Sequence, residues 1–427
     1  MPERDPQLKV QGLAEAFAQA GSGIQAEVAK DSAKLVELAS QAPVVRLVDA
    51  VLFEAVSRRA SDIHIEAFER DVFVRYRIDG RCYQVAQPPK SLALAIASRI
   101  KVLANLDVAE SRLPQDGRIL LNLKERQIDL RVSSLPTLHG ESIVMRVLDK
   151  GALDKTLGQL GMDASTQQTV ERLIQRPHGL LLVTGPTGAG KTTTLYACLT
   201  KLNKPETKCI TTEDPVEYDL PGLVQVAINQ KIELTFATCL RAILRHDPDV
   251  IMVGEIRDLE TAQTAVQAAL TGHLVFSTLH TNDAPGAVTR LLDMGVEPFL
   301  VTSTVIGVLA QRLLRSLCPQ CRAPYEATPE DLAALHLAAE EVEHHLMRAT
   351  GCEACQGIGY KGRSGLYELL VMSDALRPLI IERASVGAVR EKARAEGMRT
   401  LREDGIAKVL AGVTTVEEMI RETQDYG

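Results

Sequence analysis

The chain has 427 residues, room for two to four domains, with 45% hydrophobic and 24% charged residues and a formal net charge of −7. That composition is ordinary for a globular protein, and the acidic balance argues against a nucleic-acid binder, whose phosphate contacts need a basic surface. No apolar run reaches the ~18 residues that span a bilayer.

The nearest such run, Phe299 to Leu314, is interrupted by Thr302, Ser303, Thr304, Gln311 and Arg312. The N-terminus carries Glu3, Arg4, Asp5 and Lys9 ahead of an Ala-rich helical pattern, not the charged head and apolar core of a signal peptide. A cytoplasmic protein is expected, one that meets a membrane through partners.

Residues 1–44 read as an N-terminal helical segment with a loose stop at Gly21-Ser22-Gly23. Residues 45–150 read as a separate α+β domain. Its opening helix shows Val45, Val48, Leu52 and Val56 at helical spacing. The period then shortens: Val72, Val74, Tyr76 and Ile78 alternate with Arg75 and Arg77, Asp79-Gly80 makes a hairpin turn, and Arg81 to Val85 return. A second hairpin spans Arg118 to Ser133, with a further strand from Glu141 to Val147.

In residues 151–316 the strands lose their alternation. Leu180–Val183, Cys209–Thr212, Val250–Val253 and His273–Ser277 are continuously apolar, with helices between most of them. That pattern indicates a parallel sheet covered on both faces, an α/β core. Residues 317–360 are bracketed by paired cysteines, and 361–427 read as a helical C-terminal region.

Gly185-Pro186-Thr187-Gly188-Ala189-Gly190-Lys191-Thr192, followed by Thr193, matches the phosphate-loop pattern GxxxxGK[ST]. It follows an apolar strand and opens a helix at Lys191. Glycines there let successive backbone N–H groups wrap a phosphate, and the helix start adds partial positive charge. Lys191 is expected on the β- and γ-phosphates of ATP and the Thr192 hydroxyl on Mg2+.

The strand Val250–Val253 delivers Glu255, the candidate water-activating carboxylate. Gly254 occupies the position where many such ATPases keep a magnesium-binding aspartate, and Asp249 lies at the wrong end of the strand. Glu213, in Thr212-Glu213-Asp214-Pro215, is the candidate second acid near the metal. His280 ends a third strand and is expected to sense the γ-phosphate or hold a catalytic acid.

Cys318-x2-Cys321 and Cys352-x2-Cys355 form two CxxC knuckles, the ligand set of a tetrahedral structural Zn2+. Cys82, Cys198, Cys209 and Cys239 are scattered and read as small buried apolar residues.

Four blocks in this order resemble the secretion ATPase superfamily: GPTGAGKTTTLYA (185–197), ITTEDPVEY (210–218), VGEIRD (253–258) and TGHLVFSTLHTNDA (271–284). The cysteine pairs and RLPQDGRI (112–119) point to the assembly branch, and the chain looks most like its type II secretion ATPases. The resemblance implies a RecA-like P-loop ATPase domain preceded by a PAS-like α+β domain, with a small tetracysteine zinc module and a helical C-terminal tail. It further implies a homo-hexameric motor working on an inner-membrane secretion or pilus platform. Arg131 in DLRVSSLP and Arg146 in IVMRVLDK match the arginines that close from the PAS-like domain onto the nucleotide in that family.

The pattern departs from the family in two places. Thr207 and Lys208 stand where relatives often carry an arginine. The stretch before the PAS-like part is also shorter than the usual segment that docks on a membrane partner. Type IV pilus assembly is the alternative within the branch. An ATP-switched zinc-ribbon nucleic-acid binder is the alternative outside it, opposed by 4% aromatic residues and no tryptophan. An ATP-binding regulator without turnover is a third, and the pair Glu255 and Glu213 argues against it.

Overall fold

The structure, a computed structural model, describes residues 32–123, 126–149, 155–338 and 345–423. The expected break at Gly21-Ser22-Gly23 and the tip of the second hairpin lie outside the described residues. The chain divides into two compact units, residues 1–152 with 352–358 and residues 153–351 with 359–427.

The first unit is built on a six-stranded antiparallel sheet: β1 (Asp62–Ala67), β2 (Val72–Ile78), β3 (Arg81–Ala86), β4 (Gln115–Leu123), β5 (Arg126–Thr137) and β6 (Gly140–Asp149), in the order β3-β2-β1-β6-β5-β4. Alternation decides which face is buried. Along β2, Val72, Val74, Tyr76 and Ile78 are buried and the residues between them are not. They pack with Ile63, Leu130, Ile143 and Met145 under helices Ala42–Ser57 and Ala93–Leu103. The buried Tyr76 hydroxyl donates to Val51 O at 2.8 Å, joining the first helix to the sheet.

Register sets a row of charged residues across the opposite face. Arg118 pairs with Arg131, Arg131 with Arg146, Arg146 with Asp62, and Asp62 with Arg77.

The second unit carries a seven-stranded sheet in the order β15-β12-β7-β11-β10-β8-β9. Its strands are β7 (Gly179–Thr184), β8 (Cys209–Glu213), β9 (Val224–Ala227), β10 (Val250–Val253), β11 (Leu274–Leu279), β12 (Val305–Leu317) and β15 (Tyr360–Val371); a two-stranded ribbon pairs β13 (Ala323–Tyr325) with β14 (Leu346–Arg348). Strands β9, β8, β10, β11, β7 and β12 run parallel, and β15 is antiparallel to β12. Every residue of β7, β10 and β11 is buried, as expected for strands with helices on both faces.

The region 361–427, expected to be helical, opens instead with most of the edge strand β15, which lies beside β12. Its run Leu366-Tyr367-Glu368-Leu369-Leu370 shows no strict alternation and is mostly apolar, a pattern that a buried strand shares with a buried helix. The apolar run from Phe299 splits into a short helix, Pro298–Thr304, and strand β12. Cys198, Cys209 and Cys239 are buried as expected, whereas Cys82 is exposed on the edge strand β3. Among the described residues no helix is long and apolar enough to cross a membrane.

Candidate functional site

The phosphate loop joins β7 to the helix Lys191–Leu202 at the C-terminal edge of the parallel sheet, where the strand ends of β10 and β11 also lie. Gly185, Gly188 and Gly190 have φ of 146°, 81° and 85°, a region that side chains disfavour. A Cβ on Gly188 would meet nothing within 4 Å, so that part of the loop opens to solvent. Pro186, Thr187, Thr192 and Thr193 are exposed, while Ala189 and Lys191 are buried. This is a cradle with its donors at the surface, and it fits a phosphate chain, with the exposed Thr192 hydroxyl on the first turn of the helix able to ligate Mg2+.

Lys191 folds back on its own loop. Its Nζ donates to Gly185 O at 2.6 Å and Pro186 O at 3.1 Å, and faces His280 Nδ1 at 3.5 Å. Burial pushes its pKa down to about 8, with the Glu255 carboxylate partly restoring it. On the other side of the imidazole, His280 Nε2 lies 3.3 Å from Glu255 Oε2. A neutral His280 carrying its proton on Nε2 satisfies both contacts, accepting from Lys191 and donating to Glu255. Arg257 holds the second Glu255 oxygen at 2.5 Å. Loop lysine, strand-end histidine and strand-end glutamate therefore form one chain of contacts.

Glu213 is placed differently. It is buried at the end of β8, with Oε2 accepting from the Tyr196 hydroxyl. Its Oε1 accepts from the Thr211 hydroxyl at 2.6 Å and Gln225 Nε2 at 3.0 Å. Burial and this carboxylate push the Tyr196 phenol far above its usual pKa, so it stays a donor. Tyr196 is on the phosphate-loop helix, so Glu213 ties that helix to β8.

Two further residues shape the site and escaped the sequence reading. The Thr184 hydroxyl, at the end of β7, accepts from Thr281 N at 2.9 Å and contacts Thr281 Oγ1 at 2.7 Å, which fixes the turn that carries His280. Gln311, in the middle of β12, contacts Ala189 of the loop and Thr194 of its helix. A polar residue buried in an apolar strand was the available signal.

The thiol sulfurs of Cys318, Cys321, Cys352 and Cys355 lie within 4.8 Å of one another. Cys352 and Cys355 sulfurs are 3.8 Å apart, matching the edge of about 3.8 Å expected for a sulfur tetrahedron with Zn–S of about 2.3 Å. Backbone turns assist: Cys321 N donates to Cys318 O at 3.2 Å, and Cys352 N donates to Cys355 Sγ at 3.1 Å. The donor set fits a closed zinc site.

Arg131 and Arg146 are neighbours on the charged face of the first unit, and Arg146 Nε donates to Asp62 Oδ1 at 3.3 Å. The nucleotide loop is in the second unit.

The family model described as Type II/IV secretion system protein matches residues 37–421. Type II secretion system ATPase E of Vibrio cholerae is 52% identical over 400 residues, covering 94% of this chain and 79% of that protein. Type II secretion system protein E of Pseudomonas aeruginosa is 52% identical over 402 residues, with 94% and 79% covered. Among solved structures, the pilus retraction motor PilT with bound ADP superposes with a TM-score of 0.60 at 27% identity, covering 88% of this chain and 97% of that one. The ATPase DotB of Legionella pneumophila gives 0.66 at 21% identity, covering 88% and 94%, a likeness of fold. Matched over most of its length and sharing half its residues with these relatives, the chain belongs to the Type II/IV secretion system protein family and is an ATPase of its type II secretion branch.

Proposed function

We propose that the chain is a hexameric motor that hydrolyses ATP at the Lys191–His280–Glu255 site and passes the work to an inner-membrane secretion platform. The observation that carries it is the continuous contact from the phosphate-loop lysine through His280 to Glu255. In this reading Gly185 to Thr193 cradle the phosphates and Lys191 exchanges its loop carbonyls for the β- and γ-oxygens. Glu255 takes the proton of the attacking water, and His280 holds that carboxylate against the γ-phosphate. The Thr192 hydroxyl would hold Mg2+, which would offset the charge that develops on the phosphates during hydrolysis.

Glu213 acts through Tyr196, keeping the loop helix in register with β8; to reach the metal it must first release a donor. Arg131 and Arg146 approach the γ-phosphate when the two units close, which makes turnover depend on conformation. The four cysteines would hold a structural zinc as a closed ligand set, which would stabilise the module and leave no position for catalysis. The work site is the cytoplasmic face of the inner membrane.

The test is steady-state ATPase activity of wild type and Glu255→Gln over a range of protein concentrations, with ADP binding measured in parallel. Loss of a catalytic base lowers turnover by roughly 10²-fold or more, with binding kept. Turnover per chain should rise with concentration as rings assemble, and Arg131→Gln and Arg146→Gln should lower kcat more than they weaken ADP. A Glu255→Gln protein that turns over like wild type removes Glu255 from the mechanism. Activity independent of concentration removes the ring.

A further inference from the structure

Strand β12 runs past the phosphate loop, and one polar side chain interrupts its buried face. Gln311 is 2% exposed. Both ends of its amide are used: Nε2 donates to Ala189 O at 2.8 Å, and Oε1 accepts from the Thr194 hydroxyl at 2.7 Å. Its backbone matters as well, because a Cβ on Gly185 would fall 2.3 Å from Gln311 O and one on Gly190 would fall 2.9 Å from Gln311 Nε2. The first and last glycines of the loop are therefore both packed on this one residue.

A peptide group is planar and trans, so its C=O and N–H point in opposite directions. With Ala189 O held by Gln311, the N–H of Gly190 is turned the other way, off β12 and toward the cradle. Gly190 has φ of 85° and no Cβ to resist rotation, so nothing in its own side chain keeps that peptide from flipping. The amide of Gln311 is the group that does.

Gln311 is itself locked. Its neighbour across the antiparallel register is Tyr367 on β15. The Tyr367 hydroxyl donates to Leu160 O at 3.2 Å. Thr194 sits on the loop helix, so the glutamine braces the loop's last turn against the helix that follows it.

We infer that Gln311 is a positioning residue that holds the Ala189–Gly190 peptide of the phosphate loop in its anion-binding orientation. It touches neither nucleotide nor metal and acts through the loop backbone. The inference rests on the nucleotide site proposed above, and it assigns the affinity of that site to a strand residue more than a hundred positions away.

The experiment compares full-length wild type with Gln311→Met, of similar length without polar atoms, and Gln311→Glu, which sets a carboxylate against the Ala189 carbonyl. ADP affinity, ATP KM and kcat, and Tm are read for each. The inference expects ADP affinity to fall and KM to rise about 10-fold in Gln311→Met, as for losing one charge-assisted hydrogen bond. Gln311→Glu should lose more, and kcat at saturating ATP should fall much less than KM rises. Thr194→Val removes the second anchor and should weaken ADP in the same direction. Added to Gln311→Met it should cost little further, since the two side chains form one contact; the split between KM and kcat separates this from a general loss of packing.

ADP affinity within twofold of wild type in Gln311→Met, with only Tm lowered, overturns the inference. If Gln311→Met fails to fold, Thr194→Val decides: unchanged ADP affinity there overturns it equally. Wild type that binds no ADP would refute the nucleotide site itself, an outcome distinct from either.

Discussion

The buried carboxyl of Glu368 makes the stability of the second unit depend on pH. It lies on β15, 3% exposed, and accepts backbone N–H groups from Ala284 at 2.7 Å and from Leu401 at 3.4 Å, at the starts of two helices. Burial is the main cause that raises its pKa from 4.5 to about 7; Asp283 adds to the rise, while the two amides and Arg390 oppose it. A raised carboxyl keeps its proton in the folded chain over a pH window where the unfolded chain has lost it. Folding stability therefore falls as pH rises from about 4.5 through about 7. At 1.36 kcal/mol per unit, the full fall is about 3 kcal/mol. For a body of this size that is roughly 6–12 °C in Tm. The assay is calorimetric Tm of wild type and Glu368→Gln between pH 5 and pH 8. Glutamine does not titrate and changes the hydrogen bonding by a constant amount, so the difference between the two proteins isolates the proton. Wild type should lose ground to the variant by that amount across the range. Parallel curves would refute the reasoning, because they would mean that Glu368 is already ionised at pH 5 in the folded state.

Two further outcomes are expected. Arg315 and Glu418 form a buried pair at 2.5 Å, 6% and 1% exposed at their side chains, which anchors the helix Val416–Thr423 on β12. Arg315→Met leaves the carboxylate with Arg421 as an ion-pair partner and should cost about 3 kcal/mol. Arg315→Met with Glu418→Leu should recover most of that Tm loss, and ADP affinity should stay near wild type in both. Metal analysis should find about one zinc per chain, and Cys355→Ser should release it and lower Tm without abolishing ADP binding. Protein purified without zinc and equally stable would contradict that assignment.

The parts of the site that were legible are those whose chemistry is contiguous. The phosphate loop is one run of residues with a fixed glycine pattern, and the structure shows the strand before it and the helix starting at Lys191. Glu255 and His280 were readable as strand-end residues because apolar strands of a parallel sheet deliver their C-terminal ends to one edge. Their meeting at 3.3 Å was not readable, since the order of strands, with β10 beside β11, is a property of the whole sheet. Gln311 and Glu368 were invisible for a related reason. Each is a polar residue on a largely apolar strand, and each finds its partners 33 to 122 positions away. The row of Arg118, Arg131, Arg146 and Arg77 likewise follows from register across five strands, which alternation within a single strand does not specify.

The resting arrangement also explains why so many groups surround one lysine. A buried ammonium is costly unless its hydrogens are satisfied, and with its pKa lowered to about 8 Lys191 is still charged at neutral pH. The carbonyls of Gly185 and Pro186 accept two of its hydrogens and His280 faces the amine. In the proposed mechanism phosphate oxygens offer a full negative charge in place of those dipoles, which favours a swing of the lysine toward nucleotide. When Lys191 leaves, His280 loses the amine at Nδ1 while Nε2 stays against Glu255. In the mechanism proposed above, occupancy of the loop is thereby felt at Glu255 through a single imidazole. A His280→Ala protein should keep the lysine's grip on phosphate and lose that link, so its defect belongs in kcat and not in ADP affinity.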